Sequence, residues 1–228
     1  MAACENPGAM PDSADSAVDP AADPPADPAA PPVATRRRAA PGQRRQQILQ
    51  CLAQMLEQPR AERVTTAALA ARLQVSEAAL YRHFASKAQM FEALIDFIES
   101  SLFGLVAQIE VQQSSGLAQA VRMVHALVVF AERNPGLCRL LTGDALVGEP
   151  ARLGERVQRL LARLEASVRQ SLKLAQQQGD VGPGFEPAER ARWLLTYARG
   201  AMALHGRDAG SARAASDQAA LLALLGGG

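Results

Sequence analysis

The chain has 228 residues, of which 48% are hydrophobic and 21% charged, enough for a sizeable core and one or two soluble globular domains. Three widely spaced cysteines (Cys4, Cys51 and Cys138) with no CxxC pair exclude a disulfide framework or structural zinc site, and fit a reducing cytoplasm. A net charge of only +1 argues at first against a nucleic-acid partner, but its distribution reverses that impression: residues 1–35 carry six acids and no Lys or Arg, residues 36–90 carry ten basic residues and three acids, and residues 91–228 balance.

Residues 1–35 are mostly Ala, Pro and Asp. They have too little to bury to offset the entropy of ordering, so a disordered acidic tail is expected. Nothing there has the basic-then-apolar order of a signal peptide, and no window of the chain nears 18 uncharged apolar residues, so no membrane span is expected. Arg36, Arg37, Arg38, Arg44 and Arg45 form a basic arm suited to phosphates or a minor groove. The arm leads into a first helix, about 43–57, with an apolar stripe of Ile48, Leu49, Leu52, Met55 and Leu56.

The stretch 64–91, VTTAALAARLQVSEAALYRHFASKAQMF, reads as two short helices, a tight turn and the start of a third helix. Leu69, Ala70 and Leu73 give the first helix, 66–73, its spacing. Ser76 is placed to cap a second helix running to about Phe84, and Ser86 to cap the next. Two such helices and so short a turn make a helix-turn-helix. At 100° per residue, Leu80 and Phe84 face the core with Leu69, Leu73 and Val75, while Ala78 and Arg82 point away, with Ala79 and Tyr81 on the shoulders. Small side chains let a helix approach base edges, Arg can pair bidentately with guanine, and Ala can touch a thymine methyl. Tyr81, His83 and Lys87 can donate to phosphates. Arg44, Thr65, Thr66 and Ser76 complete the expected DNA-facing set.

A long helix is expected from Lys87 to about Gln113, closed by Ser114-Ser115-Gly116, then a central apolar helix at about 117–133. Asn134-Pro135 restarts the chain as cap and first helical residue of a short helix to Leu141. A long amphipathic helix at 151–178 follows, then a loop at 179–184, a helix at 187–205, a loose segment at 206–214 and a last helix at about 215–225. No stretch alternates like a strand, so the expected fold is all-α, with about nine helices. The last two helices are the expected subunit interface, since helix-turn-helix proteins bind palindromic half-sites as two-fold dimers.

No catalytic pattern is present: there is no HExxH, nucleophile elbow, Walker A or dinucleotide fingerprint. His83, His125 and His205 fall on three different helices, and His125 reads as a core histidine. A non-enzyme without cofactor or metal is expected.

Leu80, Tyr81, His83, Phe84 and Lys87 match the Leu-Tyr-x-His-Phe core and following Lys of the TetR family of regulators, which this chain resembles. The resemblance implies a three-helix DNA-binding head (36–90, with its basic arm) and a six-helix dimerising body (91–228). Gln74 stands where the family often has Gly, which implies strain in the turn. The blocks MFEALIDFIESSL and FAERNPGLCRLLTGDAL resemble, more narrowly, the nucleoid occlusion branch of that family. That branch implies a cytoplasmic, nucleoid-associated protein that binds scattered double-stranded DNA sites and antagonises polymerisation of the division protein FtsZ. Phe97 and Arg133 in those blocks are the candidates for the FtsZ-facing surface, an aromatic anchor and an Arg suiting a hot spot. The alternative reading is a ligand-responsive TetR-type transcriptional repressor, whose body encloses a pocket. A third, a structural DNA-bridging protein, would show little sequence preference.

Overall fold

The computed structural model describes residues 41–58, 64–207 and 221. The acidic tail, Arg36–Arg38 of the arm, the segment from 208 to 214 and, apart from Leu221, the last expected helix at 215–225 lie outside the described residues. Those described contain helices only: α1 Pro41–Leu56, α2 Thr66–Leu73, α3 Glu77–Tyr81, α4 Lys87–Gln112, α5 Gly116–Arg133, α6 Pro135–Leu141, α7 Ala151–Gln178 and α8 Pro187–Arg207. A single 3₁₀ turn, Asp144–Leu146, links α6 to α7 and has no counterpart in the sequence-based expectation.

Local chemistry sets most of these boundaries. The side chains of Thr65, Ser76, Ser86 and Ser115 each accept a hydrogen bond from a backbone N–H in the first turn of α2, α3, α4 and α5. Gln74 ends α2 in the left-handed conformation, φ 53° and ψ 48°, and is the one non-glycine residue with positive φ among those described. Two expectations are corrected. The second helix of the helix-turn-helix ends at Tyr81 rather than Phe84: His83 and Phe84 both send their N–H to the Leu80 carbonyl (2.9 and 3.1 Å), a tightened turn that drives the Phe84 ring into the core. Asn134 does not cap α6 with its side chain; its Nδ2 donates back to the Phe130 carbonyl at 2.8 Å, closing α5 instead. Pro135 does take the first helical position, where its missing N–H costs nothing.

One continuous apolar core runs from Ile48, Leu52, Leu69, Leu80 and Phe84 in the head, through Phe91, Leu94, Ile95 and Ile98 on α4, to Leu160, Leu164 and Met202 in the body. Within the body α5, α7 and α8 pack on one another, and α4 lies along α5 and α7. Gly116 lets α5 start directly against the α7 backbone, where a Cβ would collide with the Ser171 carbonyl.

Charges hold α4 beside α7. Arg152 Nε reaches Glu92 at 3.0 Å, Arg156 bonds Asp96 and Glu99, and Arg163 bonds Glu99 while its guanidinium stacks 4.2 Å from the Phe103 ring centroid. Glu92, Asp96 and Glu99 share a helical face by spacing, as do Arg152, Arg156 and Arg163 on the partner helix. The pairing fixes the parallel register of the helix that carries the head.

The joint between head and body is made by α6. Gly136 sits against α1 so closely that a Cβ would collide with the Ala53 carbonyl and lie 2.9 Å from the Glu57 nitrogen. Arg139 Nη1 donates to the Leu56 and Gln58 carbonyls at 3.0 and 2.9 Å, covering the orphan acceptors at the end of α1 from another element.

Candidate nucleic-acid interface

The outward side of α3 is assembled by burying its other side. Leu80 and Phe84 are sealed in the core, which leaves Ala78 and Arg82 exposed and Tyr81 44% exposed. Ala79 and His83 are half-buried on the flanks. A face with two methyl-sized positions, one long cation and one phenol is thin enough to approach base edges and has donors for both bases and phosphates. Arg82 lies just beyond the last helical residue, in the turn.

The hydroxyls around this face are pre-set by the caps. Thr65 Oγ1 accepts from Ala68 N at 3.1 Å, and Ser76 Oγ accepts from Ala79 N at 3.2 Å. Each oxygen is occupied by backbone, which leaves the hydroxyl hydrogen to donate. Thr66 is engaged otherwise: its hydroxyl donates to Glu77 Oε2 at 2.6 Å, and the Tyr81 hydroxyl approaches the same Thr66 oxygen at 3.5 Å.

The basic residues divide into held and open. Arg44 Nη1 donates to Gln47 Oε1 at 3.0 Å. Arg45 is exposed, with its guanidinium 4.6 Å from the Phe84 ring centroid, beside the turn that follows α3. Lys87, assigned to phosphate by the sequence, is paired instead with Glu149 of the body, Nζ to Oε1 2.6 Å, and lies 5.4 Å over the Phe91 ring. A partner 62 residues away leaves no local signal, and Glu149 went unnoticed in the sequence.

Phe97 and Arg133 lie on neighbouring grooves. Phe97, on α4, is 56% exposed and so is no ordinary core residue; it borders a cavity of about 510 Å³ with Leu49, Ala53, Leu94 and Leu137. Arg133, exposed in the last turn of α5, borders a cavity of about 480 Å³ with Leu105, Arg122, His125 and Phe130. Asn134 lines both, so the two grooves meet at the α5–α6 junction. His125 is half-buried on this groove and not sealed in the core as its apolar helix suggested.

Cys51 and Cys138 are buried packing groups. Burial pushes the Cys138 thiol up to about 12, and burial raises Cys51 as well, opposed by the charge of Arg72. Among the described residues no group of three or more His, Cys, Asp or Glu is placed to hold a metal ion, and no helix is long and apolar enough to cross a membrane.

Two family models match this architecture in order along the chain. Residues 53–94 match the bacterial regulatory proteins of the tetR family, and residues 115–217 match the SlmA-like form of the tetracyclin repressor-like, C-terminal domain. Among characterised relatives, the chain is 47% identical over 157 residues to the nucleoid occlusion factor SlmA of Shewanella frigidimarina, covering 69% of this chain and 80% of that one. It is 43% identical over 185 residues to SlmA of Colwellia psychrerythraea, covering 81% and 93%. With SlmA of a Marinomonas species the identity is 49% over 158 residues, covering 69% and 80%. Solved structures support the fold: the MbdR regulator of Azoarcus sp. CIB aligns with TM-score 0.66 at 19% identity, covering 82% of this chain and 97% of that one. The TetR-family regulator PfmR of Thermus thermophilus aligns with TM-score 0.65 at 22%, covering 79% and 97%. These relatives are named as a nucleoid occlusion factor and as transcriptional regulators, not as enzymes.

Proposed function

The chain belongs to the SlmA family of nucleoid occlusion factors within the wider TetR family, and on that premise we propose that it binds specific chromosomal DNA sites and, so bound, inhibits FtsZ assembly over the nucleoid. The observation that carries the reading is identity of 43–49% that extends through the body as well as the head. A shared helix-turn-helix alone is common to repressors of many kinds. The body is where a ligand-responsive repressor and a division inhibitor part.

In this reading residues 36–90 form the DNA-binding head and 91–228 the dimerising, partner-binding body. Ala78, Ala79 and Arg82 face base edges in the major groove. Arg44, Thr65, Ser76, Tyr81, His83 and Lys87 serve the backbone, and Thr66 takes part through the Glu77 carboxylate that its hydroxyl holds. Dimerisation places two heads on the half-sites of a palindrome, and α8 supplies the described part of the interface. The FtsZ-facing surface centres on Phe97 and Arg133, whose grooves join at Asn134 and carry an aromatic anchor beside two guanidinium groups, Arg122 and Arg133. A protein so employed resides in the cytoplasm on the nucleoid.

FtsZ assembly followed by light scattering, with the protein present and with or without a duplex it selects, tests this reading. Inhibition is expected and should strengthen with duplex. Phe97→Ala and Arg133→Ala should lose inhibition while keeping duplex affinity. Unimpaired FtsZ assembly in both states would end the proposal.

A further inference from the structure

One acid stands at the start of α3. Glu77 is one of three acids among the thirteen charged residues of 36–90, it is exposed, and it opens α3 directly beside Ala78. Helix-dipole stabilisation accounts for a carboxylate at this position. It does not account for the bond that the carboxylate makes. Glu77 Oε2 accepts the Thr66 hydroxyl at 2.6 Å, across the turn and eleven residues away in sequence. Thr66 is itself fixed, as the first residue of the helix capped by Thr65. Among the described residues Oε1 has no partner. The carboxylate is therefore pinned by one oxygen and open at the other.

Its direction follows from the helix wheel. At 100° per residue Glu77 lies about 40° from Tyr81 and on the opposite side of it from Arg82. It stands between Tyr81 and the buried Leu80, about 60° from the latter and about 100° from Ala78, so it meets the DNA-facing side from the α2 shoulder, where Thr66 holds it. Residues at the start of a recognition helix are those that reach base edges. In the major groove guanine presents two acceptors to that position and thymine presents one, and both repel a carboxylate. Adenine offers a donor with an acceptor beside it, the match for an amide. Cytosine offers its N4 amine, the match for a group that only accepts.

We propose that Glu77 is a specificity-determining residue, whose open carboxylate oxygen accepts a hydrogen bond from cytosine N4 while the Thr66 hydroxyl fixes its orientation. The inference rests on the DNA-binding reading above. It makes Glu77 a filter as well as a contact: on the wrong sequence the carboxylate meets acceptors and lowers affinity. Thr66 acts here as a positioning residue.

Selection from a random-sequence duplex pool, run in parallel with wild type, E77A, E77Q and T66V, tests it. Wild type should enrich a cytosine at one position of each half-site. E77A should leave that position open, and E77Q should shift it toward adenine. On the wild-type-selected duplex E77A should bind about ten-fold more weakly, and on a scrambled duplex of equal length it should bind more tightly, because an acid has left a surface that faces phosphates. T66V should keep the cytosine with reduced preference. Opposite signs on the two duplexes separate this from loss of helix stability, which weakens both, and from simple charge removal, which strengthens both. An unchanged selected sequence in E77A overturns the inference. If wild type enriches no sequence at all, the DNA-binding reading itself fails.

Discussion

Gln74 carries the only left-handed backbone among the non-glycine residues described, at the hinge of the helix-turn-helix. Holding a non-glycine residue there costs about 1–2 kcal/mol, while a glycine adds about 0.4–1 kcal/mol of unfolded-chain entropy. The first term is larger, so Gln74→Gly should raise stability by about 0.5 kcal/mol in urea denaturation, and Gln74→Val should lower it by about 1 kcal/mol or more. The strain was legible from a single departure at one position of the family pattern. Lys87 was legible only by halves. Its cationic character pointed to phosphate, but its ion pair with Glu149 bridges the first turn of α4 and the loop before α7. A phosphate that takes Lys87 must compete for its charge with Glu149. Glu149→Gln should therefore tighten binding to all duplexes alike, at a stability cost of about 1 kcal/mol or less. Lys87→Ala should flatten the dependence of log affinity on log salt by about one unit. Duplex affinity that Glu149→Gln leaves untouched would make the pair an anchor and nothing more.

At the scale of elements, what the sequence disclosed was what is local. Serine and threonine caps act within three residues, so α2, α3 and α4 begin where their spacing and punctuation predict. Asn134 shows the limit: a residue with the right chemistry for a cap bonds backwards, to the Phe130 carbonyl of the helix it follows. The head–body joint was not legible at all. Gly136 follows a proline in a short helix and reads as ordinary punctuation, and only the approach of α1 reveals why a side chain has no room. Because the nearest atom a Cβ would meet, the Ala53 carbonyl oxygen, is backbone, Gly136→Ala cannot be accommodated by a rotamer change alone. It should cost about 1–3 kcal/mol in urea denaturation, with Gly104→Ala, which faces open space, as the neutral comparison. Arg139 works at the same joint from the other side, and Arg139→Met should lose the caps on the Leu56 and Gln58 carbonyls without creating a void. If the joint is what fixes the head, both variants should also lower duplex affinity more than their loss of folded protein explains.

For the whole molecule, the decisive surface is the one left unpaired. Trp193, Tyr197 and Leu204 stand 62%, 47% and 66% exposed along α8, at steps of four and seven residues that place them on one stripe. Large apolar groups aligned in this way mark an interface. Gly200 lies within the stripe with open space at its Cβ, room for a second helix to approach. The periodicity of the segment from Pro187 disclosed a helix, but not which side faces outward. That follows only from the burial of Leu194, Leu195, Ala198 and Met202 against the rest of the body. A doubly charged variant, Trp193→Glu with Tyr197→Glu, should convert a dimer to a monomer in sedimentation velocity while leaving the helical circular dichroism intact, since neither side chain belongs to the core. Two heads on one palindrome bind with the advantage of an intramolecular second step, which amounts to about 10²–10⁴ in affinity. The variant should lose about that factor on a palindromic duplex and almost nothing on a single half-site. Equal loss on both would place the damage in the head. A variant that stays dimeric would assign the interface elsewhere and leave the α8 stripe free for a different partner.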